Sequence, residues 1–232
     1  MMQMSDLKNI KAVIFDMDGL LLDSESVAMS TFIDSCREHG IEPDIKVYYK
    51  CVGTNEAGTR EVLTSGYGPD FPFDTVFTLW NKKYWDAALN RPVPVKAGAI
   101  DLLLYLGIEK IRKAVVTSTR RGKAIRMLSN ANLLDFFEFV LCGDEINKGK
   151  PDPEMYLTGC NKLLEQPADC LALEDSDNGV LSAYNAGMNV IQVPDMVAPG
   201  DKVKALGHRV ARSLAEVEEL LRAGTLDLRF KR

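Results

Sequence analysis

The chain has only two histidines, His39 and His208, among its 232 residues. Neither stands beside a run of residues with catalytic character, so histidine acid–base chemistry and phosphohistidine chemistry find no support. The five cysteines, Cys36, Cys51, Cys142, Cys160 and Cys170, are an odd-numbered set without a Cys-x-x-Cys pair. That argues for reduced, buried thiols and against disulfides or structural zinc. No apolar stretch approaches the roughly 20 residues that span a bilayer, and Met1 to Asp6 lacks the apolar centre of a signal peptide. A cytoplasmic protein with no membrane partner is expected. Positive charge is in short supply: the formal net charge is −5, which argues against nucleic acid as the main partner, because neutralising a phosphate backbone takes a basic surface. Anionic small molecules stay open, through a locally basic pocket or a bound cation. Internal repeats and low-complexity segments are absent.

What is present is an ordinary globular composition, 46% apolar and 26% charged, long enough to bury a full core. Strand-like apolar runs end near Phe15, Val116, Leu141, Leu173 and Val193. Helix-length segments separate all but the first pair, and this alternation predicts an α/β fold with a doubly wound parallel sheet. The gap from Ser24 to Arg91 has no comparable β-branched run and reads as helical. Asp23 or Ser24 is expected to cap a helix carrying Val27, Thr31, Phe32 and Cys36 and ending at His39-Gly40. Asp74 is expected to cap another carrying Val76, Phe77, Trp80 and Tyr84. Between them, Cys51 to Asn55 reads as a loop with Asn55 as a cap. A last amphipathic helix follows Leu214, and the polar end beyond it has no readable role.

Four strand ends carry chemistry-bearing residues. The first strand runs into Asp16-Met17-Asp18-Gly19, delivering two carboxylates to the sheet edge where open α/β folds bind ligands. Ala114-Val115-Val116 runs into Thr117-Ser118-Thr119-Arg120. Leu141-Cys142-Gly143-Asp144 is followed by Lys148-Gly149-Lys150-Pro151-Asp152-Pro153. Leu171-Ala172-Leu173 runs into Glu174-Asp175-Ser176. Taken singly, each has a plain structural reading: acidic and Thr-Ser turns, a solvated lysine before an Asp152-Pro153 helix start, and a helix N-terminus that favours acids and serine.

In this order the four resemble the haloacid dehalogenase superfamily, over about Ile10 to Pro194. The resemblance implies a Rossmann-like core of residues 1–23 and 92–232, with an α-helical cap domain of residues 24–91 inserted after the first strand, as in the β-phosphoglucomutase-like subgroup. Pro92-Val93-Pro94 would be the return hinge. It further implies a phosphatase acting on a small phosphorylated metabolite: a sugar, polyol or nucleoside monophosphate. Asp16 would be the nucleophile forming an aspartyl-phosphate, and Asp18 the general acid and then base; the bland alternative for the pair is metal binding without turnover. Thr117 and the N–H of Ser118 would bind phosphate. Lys150 would neutralise phosphate and nucleophile; Lys148 competes, and the Pro-Asp-Pro register favours Lys150. Mg²⁺ would be held by Asp16, the backbone carbonyl of Asp18, Asp175 and, directly or through water, Glu174. Arg120 reads either as a surface residue or as a contact to a second phosphate. The expected oligomeric state is a monomer.

The nearest alternative is a β-phosphoglucomutase-type phosphosugar mutase. Those mutases carry a His five residues beyond the position of Asp23, where this chain has Ala28, and an Arg in the first cap loop, where Val52 to Asn55 offers none before Arg60. Dehalogenases of the superfamily lack the second Asp. A receiver-like phosphate-binding module, or a degenerate member serving only as a binding partner, is the non-enzyme alternative. A receiver needs neither Asp18 nor a cap, and degeneracy sits poorly with every catalytic position being filled.

Overall fold

Four consecutive apolar residues, Ala12–Phe15, form strand β1, and all four are fully buried. A strand covered on both faces reads as a continuous apolar run, and β1 lies inside a sheet of six strands. The others are β2 (Arg112–Thr117), β3 (Val140–Cys142), β4 (Cys170–Glu174), β5 (Asn189–Gln192) and β6 (Arg209–Val210). Their order is β3-β2-β1-β4-β5-β6 and every pairing is parallel. The structure, a computed structural model, describes residues 10–224.

Strand alternation splits the core into two layers. Val13 and Phe15 face one side, with Leu103 of α5 (Ala99–Ile108), Met127 of α6 (Arg121–Asn130) and Val217 of α10 (Leu214–Ala223). Ala12 and Ile14 face the other, with Tyr156 of α7 (Glu154–Lys162), Val180 of α8 (Asp177–Asn185) and Val203 of α9 (Asp201–Lys204). After β1 the chain builds β2 and β3 on one side and then crosses to place β4 on the other. The carboxyl ends of β1 and β4 therefore flank a topological switch point, the crevice where such sheets take ligands.

Between β1 and β2 lie four helices: α1 (Ser24–Glu38), α2 (Ile45–Cys51), α3 (Glu56–Tyr67) and α4 (Phe73–Asn90). They bury an apolar cluster of their own, centred on Phe32, Tyr48, Leu63 and Val76. Phe32 stands 5.1 Å from the Trp80 ring and 5.3 Å from Tyr48, centroid to centroid, a spacing at which edge-on and tilted ring pairs attract. The two chain crossings run side by side, Asp23 N–H donating to the Pro94 carbonyl at 2.8 Å.

Local signals mostly hold. The Asn55 side chain accepts from Gly58 N–H at 2.9 Å to cap α3, and Ser176 caps α8. Asp74 does not cap α4. The helix starts one residue before it, with Pro72 at the cap position and Phe73 buried, which leaves the Asp74 carboxylate in the first turn, paired with Arg60 at 2.5 Å. At the start of α1, Asp23 is the cap residue without a side-chain cap bond. Helix α7 begins one residue later than Asp152-Pro153 suggests, with Asp152 Oδ1 accepting from Glu154 N–H. Strand β6 gave no signal because its two residues are exposed. All five cysteines are free and buried, and no described helix is long and apolar enough to cross a membrane.

Candidate active site

Asp16 is the first residue past β1 and is buried. Lys150, from the loop after β3, donates to Asp16 Oδ1 and to Glu174 Oε1, the latter at 2.6 Å. Glu174 closes β4, fully buried, and takes the Tyr156 hydroxyl on Oε1 at 2.5 Å and the Ser176 hydroxyl on Oε2 at 3.3 Å. A Cβ at Gly179 would overlap its carboxylate, so the first turn of α8 can lie against Glu174 only with glycine there.

Asp16, Glu174 and Asp175 each offer a carboxylate oxygen, all within 4.8 Å of one another. Burial pushes the Asp16 carboxyl up, to about 8, with Glu174 and Asp18 adding to the rise and Lys150 opposing it. Asp175 is raised well above the usual carboxylate range by burial, and further by Asp16 and Glu174. Burial alone would depress Lys150, but Asp16 and Glu174 outweigh it and raise the ammonium. Three crowded carboxylates face one ammonium, and their hard oxygens fit a divalent cation such as Mg²⁺, which would relieve the excess negative charge.

Asp18 goes elsewhere. The chain turns just after Asp16, with Leu21 and Leu22 N–H both donating to the Met17 carbonyl at 3.0 Å. Gly19 sits at φ +78°, and a Cβ on it would lie 2.5 Å from Asp175 Oδ2, so the turn needs glycine for both conformation and space. This turn carries Asp18 past the end of β1. Its Oδ2 accepts from Thr119 Oγ1 at 2.7 Å and Thr117 Oγ1 at 3.3 Å. Its buried Oδ1 has no partner among the described residues. Burial raises this carboxyl too, against the hydroxyls of Thr119, Ser24 and Thr117. The side chain thus stands apart from the acidic triad, which leaves only the backbone carbonyl for the metal-ligand role expected of Asp18.

The fold brings Asp16, Asp18, Thr117, Lys150, Glu174 and Asp175 to one sheet edge, with Ser118 exposed beside Thr117. Lys148 is left out: its side chain is 73% exposed and lies 3.9 Å from Asp152. Arg120 is exposed at the start of α6. Three residues were not singled out from sequence. Thr119 carries a faint signal, two positions after Thr117. Tyr156 carries none, being one aromatic on an amphipathic helix. Glu25 follows the chain crossing; burial, then Asp18 and Asp195, raise its carboxyl to about 7.

Above this edge a cavity of about 340 Å³ separates the inserted helices from the sheet. Asp18 and Thr119 line its floor; Glu25, Tyr48, Trp80 and Tyr84 line its walls. A larger cleft of about 1150 Å³ runs along the outer strand β3 and α6, but none of the site carboxylates lines it. Asp18 lines the 340 Å³ cavity, and Asp175 lines a further cavity of about 170 Å³ that shares Val52 and Gly53 with it.

Comparison with known proteins agrees with this geometry. The model of the haloacid dehalogenase-like hydrolase family matches residues 13–193. The Bacillus subtilis protein YhcW is 33% identical over 217 residues, covering 90% of this chain and 94% of its own. The phosphorylated carbohydrates phosphatase of Thermotoga maritima is 26% identical, covering 91% of this chain and 97% of its own. Among solved structures, a Deinococcus radiodurans hydrolase of the family with bound phosphate and sodium aligns with a TM-score of 0.78 at 25% identity, over 93% of this chain and 96% of that one. The strand order, the four motif ends meeting at the switch point and these matches together place the chain among the haloacid dehalogenase-like hydrolases.

Proposed function

We propose that the protein is a Mg²⁺-dependent phosphatase that hydrolyses a small phosphorylated metabolite through an aspartyl-phosphate on Asp16. The observation that carries this reading is the separation of the two aspartates: Asp16 is held by Lys150 within the acidic triad, while the Asp18 side chain is anchored outside it, Oδ2 accepting from Thr119 and Thr117.

Asp16 attacks phosphorus, its carboxylate forming the new P–O bond as the bond to the leaving oxygen breaks. Asp18 gives its proton to that oxygen from Oδ1, which no protein donor occupies. A water then attacks phosphorus, the Asp16–phosphorus bond breaks, and Asp18 takes the water's proton, restoring both carboxyls. Lys150 screens the charge that builds between nucleophile and phosphoryl oxygens. Mg²⁺, held by Asp16, Asp175 and the Asp18 backbone carbonyl with Glu174 direct or behind a water, would supply further countercharge to those oxygens. Helices α1–α4, residues 24–91, act as the cap that shields the acyl phosphate from bulk water.

A mutase would need a bisphosphate held at both ends. At position 28 the methyl of Ala28 lines the cavity and its carbonyl accepts from Trp80 Nε1 at 2.8 Å, and Arg60 is drawn away to Asp74. The test is phosphate release from a panel of phosphorylated metabolites with Mg²⁺, alongside conversion of β-glucose 1-phosphate. Release by the wild type and its loss in Asp16→Asn supports the reading; isomerisation without release overturns it.

A further inference from the structure

The cavity that receives the leaving group is lined by acidic side chains and by no basic one. Asp18, Glu25 and Glu56 line it, and among the described residues lining it there is no lysine or arginine. Lys123 does not line it; its ammonium lies 3.4 Å over the ring of Trp85, a lining residue. Among the described residues the Glu25 carboxylate takes one hydrogen bond, from the Tyr48 hydroxyl at 3.4 Å to Oε2, so a half-buried carboxylate faces the cavity without a countercharge. Tyr48, Trp80 and Tyr84 line the same cavity, and aromatic rings attract cations that reach their faces.

Phosphate and leaving group therefore meet opposite environments. Lys150 serves the phosphoryl end at Asp16, where a divalent cation would add to it; past Asp18 the wall is acidic and aromatic. We propose that this cavity selects phosphate monoesters whose leaving group carries a protonated amine, and refuses those whose leaving group carries a carboxylate or a second phosphate. This rests on the phosphatase reading above and names its substrate class. An ammonium at about 4 to 6 Å from a carboxylate, in the effective dielectric of a protein cleft, gains enough Coulomb energy for a discrimination of tenfold or more. An anion at the same place loses a similar factor, and an unpaired buried anion is costly. The acidic wall and the missing Arg in the 52–55 loop act in the same direction, since both deny a second phosphate its partner.

The test is competition against p-nitrophenyl phosphate hydrolysis by the full chain with saturating Mg²⁺. Three compounds of nearly equal size compete: 2-aminoethyl phosphate, 2-hydroxyethyl phosphate and phosphoglycolate. The inhibition constant reports binding whether or not the competitor is turned over. The expected order is amine tightest, at least fivefold below the hydroxyl compound, with the carboxylate at least fivefold above it. Glu25→Gln, a near-isosteric change, should bring the amine-to-hydroxyl ratio to within twofold of one. Glu56→Gln, on the exposed rim and safe for folding, should lower the ratio by a smaller factor. Equal constants for the three compounds, a carboxylate that binds best, or no competition by any of them overturns the inference while leaving the phosphatase reading intact. A wild type that fails to hydrolyse p-nitrophenyl phosphate at all would strike that reading, and this inference with it.

Discussion

Thr119 donates its hydroxyl to Asp18 Oδ2 at 2.7 Å, and this bond, with the longer one from Thr117, fixes which oxygen of Asp18 stays free for a proton. Thr119→Val removes the donor and keeps the shape. A hydrogen bond to a charged acceptor contributes about 1.5–3 kcal/mol, so kcat for an alkyl phosphate should fall roughly tenfold to a hundredfold. The deficit should shrink for p-nitrophenyl phosphate, whose leaving group needs little protonation. Equal losses on both substrates in steady-state assays would place Thr119 in general structure and not in proton transfer.

Asp16→Asn should abolish turnover, because a carboxamide is a poor nucleophile and a poorer metal ligand. Losing the covalent route should cost several kcal/mol at about 1.4 kcal/mol per decade of rate. A residual rate above about one hundredth of wild type would contradict its role.

Metal removal should silence the enzyme, since Lys150 alone faces Asp16, Glu174 and Asp175. EDTA-treated protein should regain activity with Mg²⁺, and Asp175→Ala should raise the Mg²⁺ concentration needed for half-activity by tenfold or more. Its circular dichroism should remain that of wild type. Undiminished activity in EDTA would end the metal assignment.

Glu25 sets a pH signature for stability. Its folded carboxyl is raised to about 7, chiefly by burial and then by Asp18 and Asp195, against an unfolded value of about 4.3. A group with a raised folded pKa contributes stability that is present below the unfolded value and lost as pH climbs through the folded one. In urea unfolding of the metal-free protein, Glu25→Gln should therefore gain on wild type between pH 5 and pH 8, by about 2–3 kcal/mol at most. A constant difference across that range would mean that Glu25 titrates normally.

The sheet was legible because each central strand is a short apolar run ending in polar residues: Ala12–Phe15 before Asp16, and Cys170–Glu174 before Asp175. The site residues could be read for the same reason, since parallel strands put all their carboxyl ends on one edge. Contacts made across the fold were not legible. That Tyr156 would reach Glu174 from α7, or that Thr119 would donate to Asp18, depends on how β2, β4 and α7 pack. Asp74 misled because an acid near a helix start suits the cap and the first turn alike, and Pro72 had already fixed the boundary.

The central claim is that phosphate passes through Asp16 while Asp18 handles the proton. The most direct measurement uses Asp18→Asn with p-nitrophenyl phosphate and Mg²⁺, mixed rapidly and quenched in acid for mass spectrometry. The first step tolerates the substitution because this leaving group needs little protonation; the second lacks its base. The account predicts a burst of p-nitrophenol close to one per active site and a phosphoryl group on the peptide that contains Asp16. Phosphate appearing in step with p-nitrophenol, with Asp16 unmodified or another residue labelled, would contradict it.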